Sequence, residues 1–107
     1  MQRGREGAII RFMKLEHAAE QLAELGHSTR LGIYRALVRA GHGGLPVADI
    51  QQQLKTPAST LSHHITRLVR VGLIKQVREG RVLRCFAQYK ELAKLQDFLS
   101  EECCADE

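Results

Sequence analysis

The sequence predicts one mainly α-helical domain with a single small β-hairpin across its 107 residues. Three observations point there. Apolar residues recur at spacings of three and four in five separate segments, the period of an amphipathic helix. Two short β-rich segments flank Gly80. Aromatic residues make up only 5% of the chain, so the core must be built from Leu, Ile, Val and Ala, which suits helices packed by aliphatic ridges. A chain of this length supports one core, so residues 1–107 read as a single domain.

From Ala8 to Leu25 the apolar positions Ile9, Phe12, Met13, Leu15, Ala19, Leu22 and Leu25 define a first helix, with Gly26 as a left-handed cap. Ser28 is placed to cap a second helix carrying Leu31, Tyr34, Ala36, Leu37 and Val38, stopped at Gly41 and the Gly43-Gly44-Leu45-Pro46 turn. A third, short helix spans Val47 to Leu54, with Asp49 in the first turn, where the helix dipole favours an anion. Thr56 is then the expected N-cap of a fourth helix running from about Pro57 to Val71, with proline at the first helical position, where its missing N–H costs nothing.

That fourth helix is two-faced. Leu61, Ile65, Leu68 and Val69 are expected as its buried stripe, and Ser59, Thr60, Ser62, His63, Thr66, Arg67 and Arg70 cover the rest. Gly72 ends it. Residues Leu73 to Val77 and Arg81 to Ala87 read as two strands joined through Arg78-Glu79-Gly80, with glycine supplying positive φ. A last helix from Lys90 to Cys103 presents Leu92, Leu95, Phe98 and Leu99 and runs into an acidic tail.

Charge divides the chain. The formal balance is +4, but four of the twelve acids lie in the last seven residues, so the first 100 carry sixteen cations against eight acids, or +8. A basic body suits a polyanionic partner. No long apolar run and no signal-peptide pattern is present, so the expected location is the cytoplasm, with no membrane partner, and the three cysteines are expected as free thiols.

Two short helices joined by a tight turn, the second two-faced, followed by a basic hairpin, are the layout of a winged helix-turn-helix. Ser59, Thr60 and Ser62 are short enough to let the helix backbone approach a DNA groove, while His63 and Arg67 reach bases or phosphates. Arg78 and Arg81, with Arg84 beside them, would follow the adjacent phosphates. His64 is expected at the edge of the buried stripe, and His17, His27 and His42, which lack ligand spacing, as surface or capping residues.

The run Thr56-Pro57-Ala58-Ser59-Thr60-Leu61-Ser62-His63-His64-Ile65, with Gly72-Leu73-Ile74, Glu79-Gly80-Arg81 and the upstream Ser28-Thr29-Arg30-Leu31-Gly32-Ile33-Tyr34, resembles the ArsR/SmtB repressors. The resemblance covers Leu25 to Ala87 closely and the terminal helices by position. It implies a homodimer built by the first and last helices that occupies double-stranded operator DNA and leaves it when an inducer binds. The wide apolar faces of both terminal helices fit that role.

Familiar metal sites of that family are missing. Leu45-Pro46-Val47-Ala48-Asp49-Ile50 holds no thiol where many relatives carry Cys-x-Cys, and the last helix has no histidine. What remains is Cys85 on the second strand and the pair Cys103-Cys104, a soft set of three thiols suited to trivalent arsenic, as arsenite or methylarsenite. The placement is similar to arsenic-responsive family members with a vicinal pair ending the last helix. Neighbouring cysteines on a regular helix point about 100° apart, so chelation by both requires the helix end to fray. A thiol redox or reactive-sulfur sensor is the alternative reading. An enzyme is not expected, because no histidine lies near Cys104 in sequence to serve as its base. No resident cofactor is required.

Overall fold

The computed structural model describes residues 13–107. Its elements in order are α1 (Leu15–Leu25), α2 (Ser28–Ala40), a 3-10 turn (Gly41–Gly43), β1 (Leu45–Pro46), α3 (Val47–Leu54), α4 (Ala58–Arg70), β2 (Ile74–Glu79), β3 (Val82–Ala87) and α5 (Tyr89–Ser100). The strands form one antiparallel sheet in the order β1-β3-β2. The expected class, mainly α with a small β-hairpin in a winged helix-turn-helix arrangement, is the observed one.

The aliphatic periodicity closes into one main core. Ile33 and Leu37 of α2, Ile50 of α3, and Leu61, Ile65 and Leu68 of α4 meet Leu73, Ile74 and Cys85 from the hairpin, each at most 1% exposed. Burying a side chain of this kind stabilises the fold by roughly 1.5–3 kcal/mol before entropy is counted. A smaller cluster of Met13, Ala18 and Leu95 holds α1 against α5. Leu15, Leu22 and Leu99 on these same two helices stay exposed.

Several expected boundaries shift, each for a physical reason. Ala8 to Phe12 of the expected first helix lie outside the described residues, and Lys14, at φ −78° and ψ 147°, is extended, so α1 starts at Leu15. Gly26 is not left-handed, since its φ is −75°. Ser28 is already helical, and the cap of α2 is His27, whose Nδ1 accepts from the Thr29 N–H at 3.2 Å. Thr56 does not cap α4: its hydroxyl donates backward to the Leu54 carbonyl at 3.3 Å, and Pro57 occupies the cap position.

Leu45 and Pro46, expected in a turn, form a two-residue edge strand paired with Cys85 and Arg84. An edge tolerates proline because no ladder hydrogen bond is demanded of its missing N–H. Gly44 makes this approach possible: a Cβ there would lie 2.3 Å from the Cys85 carbonyl oxygen, and its φ is +66°. The wing turn is tighter than expected. Glu79 pairs with Val82, leaving Gly80 and Arg81 as the two-residue connection, so Arg78 sits in β2 and Arg81 at the tip. Gly80 has φ +64° as the turn requires.

Candidate nucleic-acid interface and the thiols

α4 owes its orientation to a division of faces, from which Val69 departs: expected in the buried stripe, it is exposed, and His64 takes a buried place beside Ile65 instead. Leu61, His64, Ile65 and Leu68 are buried, while Ser59, Thr60, Ser62, His63, Thr66 and Arg70 are exposed. The short residues Ser59 and Ser62 share the outer face with His63, so a groove wall could approach the helix backbone closely. Pro57 provides no side-chain cap bond, which leaves the first N–H groups of α4 open at the positive end of the helix dipole. Pro57 also accepts at its carbonyl from the Leu61 N–H, anchoring the first turn.

The wing lies beside this surface in sequence order but contributes unequally. Arg78 and Arg81 are exposed. Arg84 is partly engaged, donating from Nε to Glu79 Oε1 at 3.0 Å and from Nη1 to the Gly43 carbonyl at 3.2 Å. Lys75 lies 5.6 Å above the Phe86 ring, on the outer face of the hairpin.

Arg67, expected among the reading residues, has a partner within the chain. Its Nε donates to Glu24 Oε1 at 2.9 Å and its Nη2 to Oε2 at 3.3 Å. Glu24 comes from α1 and is 13% exposed, and it also pairs with Arg30 Nε at 3.1 Å. The Arg67 hydrogen bond holds the Glu24 carboxyl below the usual range despite burial, and the charges of Arg30 and Arg70 add to it. Arg30 in turn lies 3.1 Å from His64 Nδ1. Guanidinium has no acceptor, so the imidazole must present a lone pair there. Burial holds His64 below its ordinary pKa, and His27, Arg30, His63 and Arg67 reinforce the effect.

The reading from sequence missed Arg30. Its signal was present, because Arg30 falls on the same helical stripe as Ile33, Tyr34 and Leu37, all buried. A cation on an apolar stripe needs a buried partner. Gln21 carries the same signal on α1: fully buried, it donates to the Val71 carbonyl at 2.9 Å and to Glu91 Oε1 at 2.9 Å, joining α1, the end of α4 and α5.

The cysteines separate into two environments. Cys85 is completely buried on β3, with Gln76 Nε2 3.5 Å from its sulfur, and burial pushes its thiol up. Cys103 and Cys104 are exposed, and their sulfurs are 3.2 Å apart. The expected helix to Cys103 stops at Ser100; turns follow, and Cys104 adopts φ +66°, which lets both sulfurs lie on one side. Its thiol is raised chiefly by the hydrogen bond with Cys103, with Glu107 adding to it. Cys85 is not brought together with the pair: among the described residues no group of three or more His, Cys, Asp or Glu is arranged to hold a metal ion.

A family model described as a helix-turn-helix domain matches residues 25–77. An uncharacterized helix-turn-helix-type transcriptional regulator of Methanocaldococcus jannaschii is 37% identical over 89 residues, spanning 80% of this chain and 98% of the relative. The chain belongs to the helix-turn-helix transcriptional regulators. This regulator is also 39% identical over 71 residues to the transcriptional repressor PagR of Bacillus anthracis, covering 66% of this chain and 69% of PagR. Among solved structures, it superposes with a TM-score of 0.65 and 23% identity on a homodimeric winged helix-turn-helix DNA-binding domain from Mycobacterium bovis, a possible ArsR-family regulator. That match covers 94% of this chain and 89% of the other. The regulator thus has the ArsR-type winged fold, and no helix among its described residues is long and apolar enough to cross a membrane.

Proposed function

We propose that this regulator is an ArsR-family repressor that binds operator DNA as a homodimer and lets go when a trivalent arsenical is captured by its thiols. One observation carries the DNA reading: α4 buries Leu61, Ile65 and Leu68 completely and leaves Ser59, Thr60, Ser62 and His63 exposed, with Arg78 and Arg81 exposed on the wing. Polar side chains on the helix would reach base edges, and the wing arginines would pair with phosphates.

The dimer follows from α1 and α5. They pack on each other through Ala18 and Leu95, with Met13 just ahead of α1 in the same cluster, yet leave Leu15 at 68% and Leu99 at 61% exposure, a face that a second copy would cover. Two copies joined there would present two α4 helices to one duplex, and the homodimeric state of the Mycobacterium bovis domain supports a dimer.

For the inducer, the exposed Cys103–Cys104 pair is the point of entry. Each thiol would replace one hydroxyl on trivalent arsenic, its proton leaving with that hydroxyl as water, without any change of oxidation state. Sulfurs 3.2 Å apart fit a two-thiol chelate. Cys85 would join as a third ligand only if β3 yielded its buried sulfur, which favours an arsenical with two open positions, such as methylarsenite. The same sulfur separation also precedes a vicinal disulfide, so a thiol redox sensor is the second reading.

The test is fluorescence anisotropy of reduced protein on duplex from upstream of its own coding sequence, with arsenite, methylarsenite, zinc and peroxide added separately. Release by a trivalent arsenical, abolished by Cys103→Ser, supports the proposal. Release by peroxide alone supports the redox reading.

A further inference from the structure

Four charged or ring side chains tie the outer helix to its neighbours in a closed circuit. Arg30 on α2 contacts His64 on α4 at 3.1 Å and Glu24 on α1 at 3.1 Å, and Glu24 returns to α4 through two bonds from Arg67 at 2.9 and 3.3 Å. Arg30 Nε donates to the Glu24 backbone carbonyl at 2.6 Å, so the same N–H faces both the backbone and the carboxylate of Glu24. His27, the cap of α2, lies with its ring centroid 4.7 Å from that of His64, closing the remaining flank. α4 is therefore gripped at positions 64 and 67, one helical turn apart, by groups from two other helices.

Such a circuit is poorly suited to raising stability and well suited to setting geometry. An ion pair withdrawn from water gains little net energy, because desolvation offsets attraction, but breaking it strands a charge. Arg30 and Glu24 have side chains only 10% and 13% exposed, so Glu24 has few alternatives to the two arginines that hold it. Planar, two-bond pairing of carboxylate with guanidinium also restricts angle as well as distance. The grip uses Nε and Nη2 of Arg67, leaving Nη1 without a bond to Glu24.

We propose that Glu24 is a positioning residue for DNA reading: without touching DNA, it sets through Arg30 and Arg67 the angle at which α4 is presented relative to α1. This rests on the reading of α4 as the DNA-facing helix. α1 also carries the exposed Leu15 and Leu22, so the circuit ties the helix offered to a second copy to the reading helix.

The experiment compares wild type, Glu24→Gln, Arg67→Gln and the double variant. Binding to the upstream duplex and to a shuffled duplex of equal composition is measured by anisotropy, and the α1–α4 angle of the free protein by backbone residual dipolar couplings. Glu24→Gln should lower the ratio of upstream to shuffled affinity by about tenfold, the scale of one lost base readout. Shuffled-duplex affinity should change less than about twofold. The double variant should lose no more than Arg67→Gln alone, since the two residues act as one unit. If Glu24→Gln does not fold, Glu24→Asp, which keeps the charge but shortens its reach, takes its place.

An unchanged affinity ratio with an unchanged helix angle overturns the proposal, as do losses that multiply in the double variant. Wild type that fails to distinguish the two duplexes, while Glu24→Gln still rotates α4, overturns instead the assignment of α4 to DNA reading.

Discussion

Arg30 approaches His64 Nδ1 to 3.1 Å, with both side chains buried, so the imidazole is held neutral and its proton resides on Nε2. A pH dependence follows. Between the depressed folded pKa and the ordinary value of about 6.5, the unfolded chain binds a proton that the folded chain does not. Stability is therefore full above that window and falls as pH drops through it. Urea midpoints recorded from about pH 7.5 down to 5.5 should decline in wild type and decline less in His64→Gln. Parallel curves for the two proteins would contradict this.

Gly44 lies where the backbone of β3 leaves no room for a side chain. Ala at that position would place Cβ 2.3 Å from the Cys85 carbonyl oxygen and 2.8 Å from the Phe86 ring, at a φ of +66°. Gly44→Ala should cost roughly 2–4 kcal/mol in denaturant unfolding, more than the 1 kcal/mol or so typical of a point change. Gly43→Ala is the control, since nothing lies within 4 Å of its Cβ and its φ is not in the left-handed region. Equal effects at the two positions would show that β1 is not pinned as described.

The thiols should react in two classes. Cys103 and Cys104 are exposed, whereas Cys85 has no accessible surface and its thiol is raised by burial. Brief treatment of the native protein with N-ethylmaleimide should add two labels by mass spectrometry, and a third only in denaturant. Rapid native labelling of Cys85 would mean that β3 opens readily, and would restore Cys85 as an immediate arsenic ligand.

Arg81 at the wing tip and Ser62 on α4 should fail differently in binding assays. Arg81→Ala should weaken all duplexes alike and reduce the salt slope by about one. Ser62→Ala should reduce discrimination between upstream and shuffled duplex with little change in slope. Identical behaviour of the two variants would argue against the division between phosphate and base contacts.

Much of this was legible in the residues. The limits Val47 to Leu54 of α3, the burial of Leu61, Ile65 and Leu68 on α4 and the positive φ of Gly80 follow from period and turn chemistry, whereas Val69, at the same helical spacing, ends exposed. What escaped depends on partners far away in sequence. β1 exists because Leu45 meets Cys85 forty residues later, which no local pattern around Leu45 and Pro46 reveals. That His27 caps α2 in place of Ser28, with its ring tilted against the distant His64, goes beyond its reading as a surface or capping residue. Arg67 reads as a free surface cation until Glu24 of another helix is placed beside it. The cysteine set was visible as residue types, but its division into one buried and two exposed thiols is a property of the packing.

The most direct test of the central claim is equilibrium binding of the reduced protein to a duplex from upstream of its own coding sequence, followed by anisotropy at several salt concentrations. The account predicts saturable binding at two protomers per site, with affinity falling steeply as salt rises and with discrimination lost in His63→Ala. Absence of binding at low salt, or binding that ignores both sequence and the His63 substitution, would contradict it.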